Sequence, residues 1–359
     1  MSLKRLVVKD FRKIIEADLE LNPGLSLFYG DNGSGKTSLL ESAYFLGSAR
    51  SFKSGKPGTF IRHGSDGCMV RGEVCCDGSL RHLGVCRDLK GQRDISLNGD
   101  RCFRASEIAR VMPTLVLGPE TIDILLGPPE TRRRFMNWGV FHVEHTFPAL
   151  WREANRCLKQ RNNVLREGDH SAPPLRAWSV QLADRANKID AARAEYFASF
   201  KSKFYSICAQ ICDLENVEVE YYRGWPRDSD LLEIYDLNIR SDAKRGFTQN
   251  GFHRAELSVT VGNQPALSMC SRGELRAIAW SMILAQGGIK GDQKKLYLVD
   301  DLSSELDNKY RKRIGGYLYQ SGNQTLLTGL DKKTLLDCCD NGYAQLFHVK
   351  HGQIDQQSV

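Results

Sequence analysis

The chain has 359 residues, 41% hydrophobic and 26% charged, a balance that suits a folded globular protein and excludes a disordered or fibrous one. Its net charge of +7 permits a polyanionic partner without requiring one. No apolar run approaches the ~20 residues of a membrane span and Met1-Ser2-Leu3-Lys4 opens no signal peptide, so a cytoplasmic protein with no membrane partner is expected. Eleven scattered cysteines, none in a C-x-x-C pair, fit reduced thiols better than a disulfide framework or a zinc site.

Residues 3–9 alternate as a strand, residues 10–13 read as a turn, and residues 17–21 as a second strand. Leu25-Ser26-Leu27-Phe28-Tyr29 is a short apolar strand, followed by Gly30-Asp31-Asn32-Gly33-Ser34-Gly35-Lys36-Thr37 and a helical run over residues 37–46 that begins Thr37-Ser38. Strand, glycine loop and helix in that order form a P-loop, Gly-x4-Gly-Lys-Thr. Glycines let backbone N–H groups close on a phosphate at the positive end of the helix. Lys36 would reach the β- and γ-phosphates and the Thr37 hydroxyl would bind magnesium. A chance glycine-rich turn would lack both flanks.

Beyond the helix, Arg50, Lys53, Lys56 and Arg62 are interleaved with Phe52 and Phe60. Contact with phosphate or DNA and an ordinary solvated loop explain this charge equally well. Residues 67–99 read as an antiparallel meander with turns at Asp77-Gly78 and Asn98-Gly99. A helix over 104–111, a buried strand over 114–117 and a helix from Gly118-Pro119-Glu120 to residue 126 follow. Arg132-Arg133-Arg134 read as helical, where neighbours point ~100° apart, so at least one faces inward or towards a partner.

Residues 149–212 change character. Trp151, Leu158 and Leu165 recur at seven, and after a break at residues 168–174 so do Leu182, Ile189 and Tyr196. This predicts an antiparallel helical hairpin whose second helix is roughly 55 Å long, a short arm. Residues 150–214 carry eleven Lys/Arg against seven Asp/Glu, for which a solubilising helix face is the simpler reading than DNA contact. A strand over 217–221, a helix around 228–240 and a strand over 257–261 follow.

Near the C-terminus, Ser271-Arg272-Gly273-Glu274 precedes an apolar helix, by itself a common N-cap. The strand over 295–299 ends in Asp300-Asp301. A carboxylate pair at a strand end beside a P-loop is a Walker B arrangement: Asp300 for magnesium or its water, Asp301 to orient the attacking water. A simple strand-terminal turn would also favour Asp. Ser303-Ser304-Glu305-Leu306-Asp307 then opens a helix, and the strand over 324–328 ends in Thr328. The order of these pieces is that of ABC-type ATPases. In that class the Ser-Arg-Gly-Glu signature completes the site of a second protomer, so two ATP molecules are sandwiched in a homodimer.

With these residues in hand, the chain resembles the RecF family of bacterial recombination-repair ATPases, in the SMC-like ABC group. The resemblance runs almost end to end. It is carried by residues 6–12, the P-loop, Arg50-Ser51-Phe52, Pro119-Glu120 with Arg132-Arg133, Leu158-Lys159-Gln160-Arg161-Asn162, Ser271-Arg272-Gly273, Asp300-Asp301 and Ser304-Glu305-Leu306-Asp307. It implies an α/β protein: an ABC-type ATPase head built from residues 1–145 and 251–359, with an inserted helical arm over 146–250. It implies ATP and magnesium as cofactors, slow hydrolysis and ATP-dependent dimerisation. The implied partners are DNA at single-strand gaps, junctions and duplex, RecR, and indirectly RecA, in a cytoplasmic, nucleoid-associated protein. By resemblance Lys36, Thr37, Asp300 and Asp301 carry the chemistry, while Ser271 and Gly273 complete the partner's site with Asp307 near the seam. Gly118-Pro119-Glu120 occupies the γ-phosphate-sensing loop, Thr328 the switch position, and Arg12 a nucleotide contact. Four positions depart from the family pattern: Glu274 for Gln, Lys53 for Arg, Phe252 for Pro in a GPHR-like element, and a conservative Glu256. A transporter ATPase subunit or another SMC-like ATPase, such as a nuclease-complex subunit, is the alternative; a small-molecule P-loop kinase would leave the signature and residues 303–307 unexplained.

Overall fold

Alternating burial along Ser2–Phe11 (β1) and Ile14–Glu20 (β2) sets one face of an antiparallel sheet against a core. The computed structural model describes residues 1–53, 56–167, 173–289, 294–302, 306–338 and 344–357. The chain forms two compact units. The first takes Met1–Thr121, Gln210–Cys212 and Arg272–Val359, and the second Ile122–Ala209 and Asp213–Ser271.

In the first unit β1 and β2 join the meander Gly67–Cys76 (β4), Ser79–Asp88 (β5), Arg93–Leu97 (β6) and Asp100–Arg101 (β7), in the order β2-β1-β4-β5-β6-β7. Left-handed Asp77, Gly78, Asn98 and Gly99 make its turns, as their residue types anticipate. A second sheet has the order β15-β14-β3-β13-β12-β8, from Leu25–Tyr29 (β3), Thr114–Leu117 (β8), Leu296–Val299 (β12), Gln324–Gly329 (β13), Gln345–Lys350 (β14) and Gln353–Gln357 (β15). All its neighbours pair in parallel except β14 and β15. Parallel strands are covered on both faces, which is why β12 and β13 are buried throughout. Helix α1, Lys36–Ser48, buries Leu39, Leu40, Ala43 and Leu46 in a core shared with Leu6 and Val70 of one sheet and Leu298 and Leu326 of the other. Gln324 ties the sheets together: its Oε1 accepts from Leu3 N at 2.7 Å and its Nε2 donates to Leu3 O and Asn22 O, both at 2.8 Å.

In the second unit, Phe147–Glu167 (α5) and Pro173–Ile211 (α6) form the expected hairpin. Arg161 Nε donates to Ser179 Oγ at 3.0 Å and Arg185 pairs with Glu153 at 3.4 Å, contacts that only an antiparallel register allows. Arg161 is wholly buried: Nη1 donates to Asp242 Oδ2 at 2.8 Å and Thr248 Oγ1 at 2.7 Å, and the guanidinium lies 4.4 Å from the Tyr235 ring centre. Of the three arginines on Pro129–Val143 (α4), Arg132 turns inward onto Glu256 at 2.5 Å, Arg133 donates to Ala255 O at 3.2 Å, and Arg134 stays exposed beside Glu130. Phe252, at the position of the expected Pro, buries its ring edge-on to Trp151 at 5.1 Å.

Several expectations need correction. The second unit starts at Ile122, not 146, and extends to Ser271, not 250, because α4 and the sheet of Val217–Tyr222 (β9), Glu256–Val261 (β10) and Gln264–Pro265 (β11) pack within it. The helix around 228–240 is two helices, Leu231–Leu237 and Ile239–Arg245, parted at Asn238, a residue that helix interiors disfavour. The helix from Gly118 is a 3-10 turn, Pro119–Ile122, and one α-turn, Asp123–Leu126, with Gly118 N donating to Thr121 Oγ1 at 2.9 Å. The hairpin of β14 and β15 was not anticipated. Residues 168–172 of the arm's break, and Ser303, Ser304 and Glu305, lie outside the described residues.

Asp242→Ala would leave the Arg161 guanidinium buried without its counter-charge. It should lower the unfolding free energy by about 3–5 kcal/mol, read from urea or thermal unfolding.

Candidate phosphate-binding site

Four parallel strands deliver their C-terminal ends to one edge of the sheet. There β3 meets the P-loop, β12 meets Asp300-Asp301, β13 meets Thr328-Gly329, and β8 meets Gly118. An edge of this kind is where open α/β sheets bind ligands.

Gly35 stands at the N-terminus of α1 with no side-chain cap, so the first-turn N–H groups are available to an anion. Gly30, Gly33 and Gly35 all have left-handed or related positive φ, of 152°, 79° and 119°. Two of them also serve packing. A Cβ on Gly30 would collide with Val349 O, and one on Gly35 would sit 3.4 Å from Gly352 Cα. The β14–β15 hairpin thus backs the loop, and Gly352 N donates to Ser34 O at 2.7 Å. Lys13 Nζ holds Gly33 O at 2.7 Å. Asp31 and Asn32 are exposed at the loop's crest, and Ser38 is buried in the first turn of the helix.

Lys36 curls back over the loop, donating to Gly30 O at 2.6 Å and Asp31 O at 2.9 Å. Burial lowers its pKa, opposed by the nearby charges of Asp301, Asp300 and Asp31. Asp300 is 5% exposed. Its Oδ1 accepts from Thr37 Oγ1 at 2.9 Å and Thr328 Oγ1 at 3.0 Å. Burial raises its pKa above the ordinary aspartate range, against the pull of the Thr37 hydrogen bond, the Lys53 charge and the Thr328 hydrogen bond. Asp301 N donates to Thr328 Oγ1 at 2.9 Å, and Asp301 itself is left-handed, φ 52°. A bulky residue pays for that conformation, so the chain turns sharply at the second carboxylate.

The residues fit a phosphate chain with a hard divalent ion. Ser34 Oγ is buried in the cradle without a hydrogen bond among the described residues, and Thr37 and Asp300 each present an oxygen at the same point. Thr37 and Asp300 are the hard oxygen donors that magnesium takes alongside phosphate oxygens.

The structure therefore brings Lys36, Thr37, Asp300, Asp301 and Thr328 together. Arg12 lies beside the cradle, paired through Nε and Nη2 with Glu41 of α1. Gly273 and Asp307 make none of the cradle's hydrogen bonds. Gly273 is exposed in the first turn of Arg272–Gly287, with open space where a Cβ would stand, and Asp307 caps the helix Asn308–Gln320 by accepting from Lys309 N and Tyr310 N at 3.0 Å. Ser271 is exposed and ends the second unit. Sequence reading missed Glu41, Lys13 and the hairpin behind the loop. Glu41 could have been found as the one acid set among the apolar residues of α1.

An ABC-type P-loop ATPase head is the class that this edge defines. The model of the RecF/RecN/SMC N-terminal domain family matches residues 2–355. The DNA replication and repair protein RecF of Stutzerimonas stutzeri strain A1501 is 37% identical over 99% of this chain and 98% of its own length. That of Pseudomonas aeruginosa strain LESB58 is 35% identical over 100% of this chain and 99% of its own. Among solved structures, the recombination mediator protein RecF-ATP of the RecFOR pathway superposes with a TM-score of 0.88 at 23% identity, covering 99% of this chain and 98% of that one. An Smc head bound to the C-terminal winged-helix domain of ScpA gives 0.61 at 14%, covering 100% and 98%. The chain belongs to the RecF family of DNA replication and repair proteins.

Because a buried carboxylate prefers its proton in the folded state, Asp300 costs more stability as pH rises through its raised pKa, and the cost is relieved as pH falls. Asp300→Asn keeps an acceptor for both hydroxyls and removes the charge. In ligand-free protein it should raise the unfolding free energy by about 1 kcal/mol at neutral pH, a gain that shrinks towards acid pH in denaturant titrations.

Proposed function

We propose that the chain is an ATP-dependent DNA-binding protein of recombinational repair and replication-fork maintenance, in which slow ATP hydrolysis times the opening of a head-to-head homodimer. The observation that carries this reading is the Thr37–Asp300–Thr328 cluster at the P-loop, which joins a magnesium-binding pair to a switch residue on the next strand. Lys36 binds the β- and γ-phosphates, Thr37 and Asp300 hold magnesium, and Asp301 orients the attacking water. Magnesium, when bound, neutralises charge developing on the phosphates. Gly30 to Ser38 supply the cradle and Arg12 a further cation beside it. The loop at Gly118-Pro119-Glu120 follows the γ-phosphate: Gly118 lies against Asp300, where an added Cβ would sit 3.3 Å from the Asp300 Cβ. Ser271, Gly273 and Asp307 serve the site of a second copy. DNA at gaps, junctions and duplex, RecR and indirectly RecA are the partners, as the family and its RecFOR-pathway member support. No helix among the described residues is long and apolar enough to cross a membrane, in keeping with a cytoplasmic, nucleoid-associated protein.

Binding to gapped duplex, measured with and without ATP across a salt series, tests the reading; absence of DNA binding at low salt overturns it. Lys36→Ala should weaken ATP binding about 10- to 100-fold, the loss of charge-assisted phosphate contacts. Ser271→Ala should leave ATP binding by the monomer intact and weaken ATP-dependent dimerisation, seen by sedimentation. Asp301→Asn should bind ATP and accumulate as a dimer that hydrolyses slowly; equal loss of binding and dimerisation would remove its assigned role.

A further inference from the structure

Glu41 lies in the middle of α1, the helix that the P-loop opens, and its side chain is 0% exposed. An ionised carboxylate in such a place is costly unless paired and fully hydrogen-bonded. Its partners come from two different loops. From the turn after β1, Arg12 reaches it with a two-pronged contact: Nε to Oε2, and Nη2 to Oε1 at 2.7 Å. From the loop after α1, Ser51 Oγ donates to Oε1.

Each partner's own segment is held as well. Arg12 is left-handed, φ 50°, an unfavourable state for a side-chain-bearing residue, pinned by its N–H to Phe60 O at 2.8 Å. Its neighbour Lys13 grips Gly33 O of the P-loop at 2.7 Å. Ser51 Oγ accepts from Lys53 N at 3.0 Å, which ties the next cation to the same corner. One buried carboxylate in the P-loop helix thus holds two cationic segments, Arg12-Lys13 and Ser51-Phe52-Lys53. The fork uses Nε and Nη2 of Arg12, so the plane and direction of the guanidinium are set before any ligand arrives.

We infer that Glu41 is a positioning residue of the nucleotide site, which preorganises Arg12 and the Ser51–Lys53 segment around the phosphates. The inference rests on the ATP reading above. It adds that orientation of these cations, beyond their charge, sets the rate of hydrolysis. Glu41→Gln preserves size and one acceptor but turns the other oxygen into a donor facing a donor, so the fork cannot form.

The test compares wild type, Arg12→Ala, Glu41→Gln and the double variant. In ligand-free protein, the Arg12 Nε–H resonance should be protected from solvent exchange in wild type and lose that protection in Glu41→Gln. With gapped duplex present, Glu41→Gln should lower kcat for ATP about tenfold or more with KM within about twofold, the signature of lost orientation. The double variant should be no slower than Arg12→Ala, since both changes break one unit. A protected Nε–H in Glu41→Gln, an unchanged kcat, or additive losses in the double variant overturns the inference. Should Glu41→Gln fail to fold, Ser51→Ala decides: a reduced kcat with an unchanged thermal midpoint supports the inference, and a wild-type kcat refutes it. If wild type itself neither binds nor hydrolyses ATP, the proposed function fails, while the resonance measurement still decides the positioning.

Discussion

Asp300 is a carboxylate held almost out of solvent at the end of a central strand, with hydroxyls from two other segments on one of its oxygens. That is an expensive placement, and much of the head is arranged around it. Thr37 must lie in the first turn of the helix that follows β3, and Thr328 near the end of β13, so the strand order β3-β13-β12 answers the need to bring two hydroxyls to one carboxylate oxygen. Asp301 has to turn into the left-handed region directly afterwards, with its N–H on Thr328. Gly118, from the strand on the other side of β12, carries no side chain where a Cβ would lie 3.3 Å from the Asp300 Cβ. The site is a property of strand order first and of residue type second.

The P-loop shows how one sequence feature answers two demands. Its glycines suit close approach to a phosphate, and they also admit a hairpin behind the loop, where Val349 O leaves no room for a Cβ on Gly30 and Gly352 lies in contact distance behind Gly35. Gly30 is therefore required from both faces. Conversely, two of the arm residues that carry the family resemblance are structural. Arg161 is neutralised by Asp242 inside the arm, and Asn162 accepts from Thr248 N and Oγ1 at 2.8 and 2.7 Å, securing the same corner.

What could be read from the sequence follows from range. The P-loop, the meander turns, the buried strands and the arm's two helices depend on neighbours within a few residues, and all were legible. The carboxylate pair was legible because a hydrophobic strand ends on it. Domain limits were not. Whether α4 belongs with the head or the arm depends on Arg132 meeting Glu256, 124 residues away. Asn238 splits a helix that apolar spacing alone would continue. The β14–β15 hairpin has one short apolar run, and its place beside β3 comes from parallel pairing across the whole chain, which leaves no local trace. The pairing of Glu41 left no local trace because its partners lie on loops before and after it.

The P-loop strand β3 has β13 on one side and β14 on the other. Both are made roughly 300 residues after Tyr29, which at ordinary rates of about 5–20 residues per second is about 15–60 s of translation. The strands β1, β2 and β4 can pair among themselves long before, and the arm can close on its own core. Until both are made, β3 is an apolar strand with two open edges. The nucleotide loop is thus completed by pairing across roughly 300 residues, after the sheet of β1, β2 and β4 has had every contact it needs.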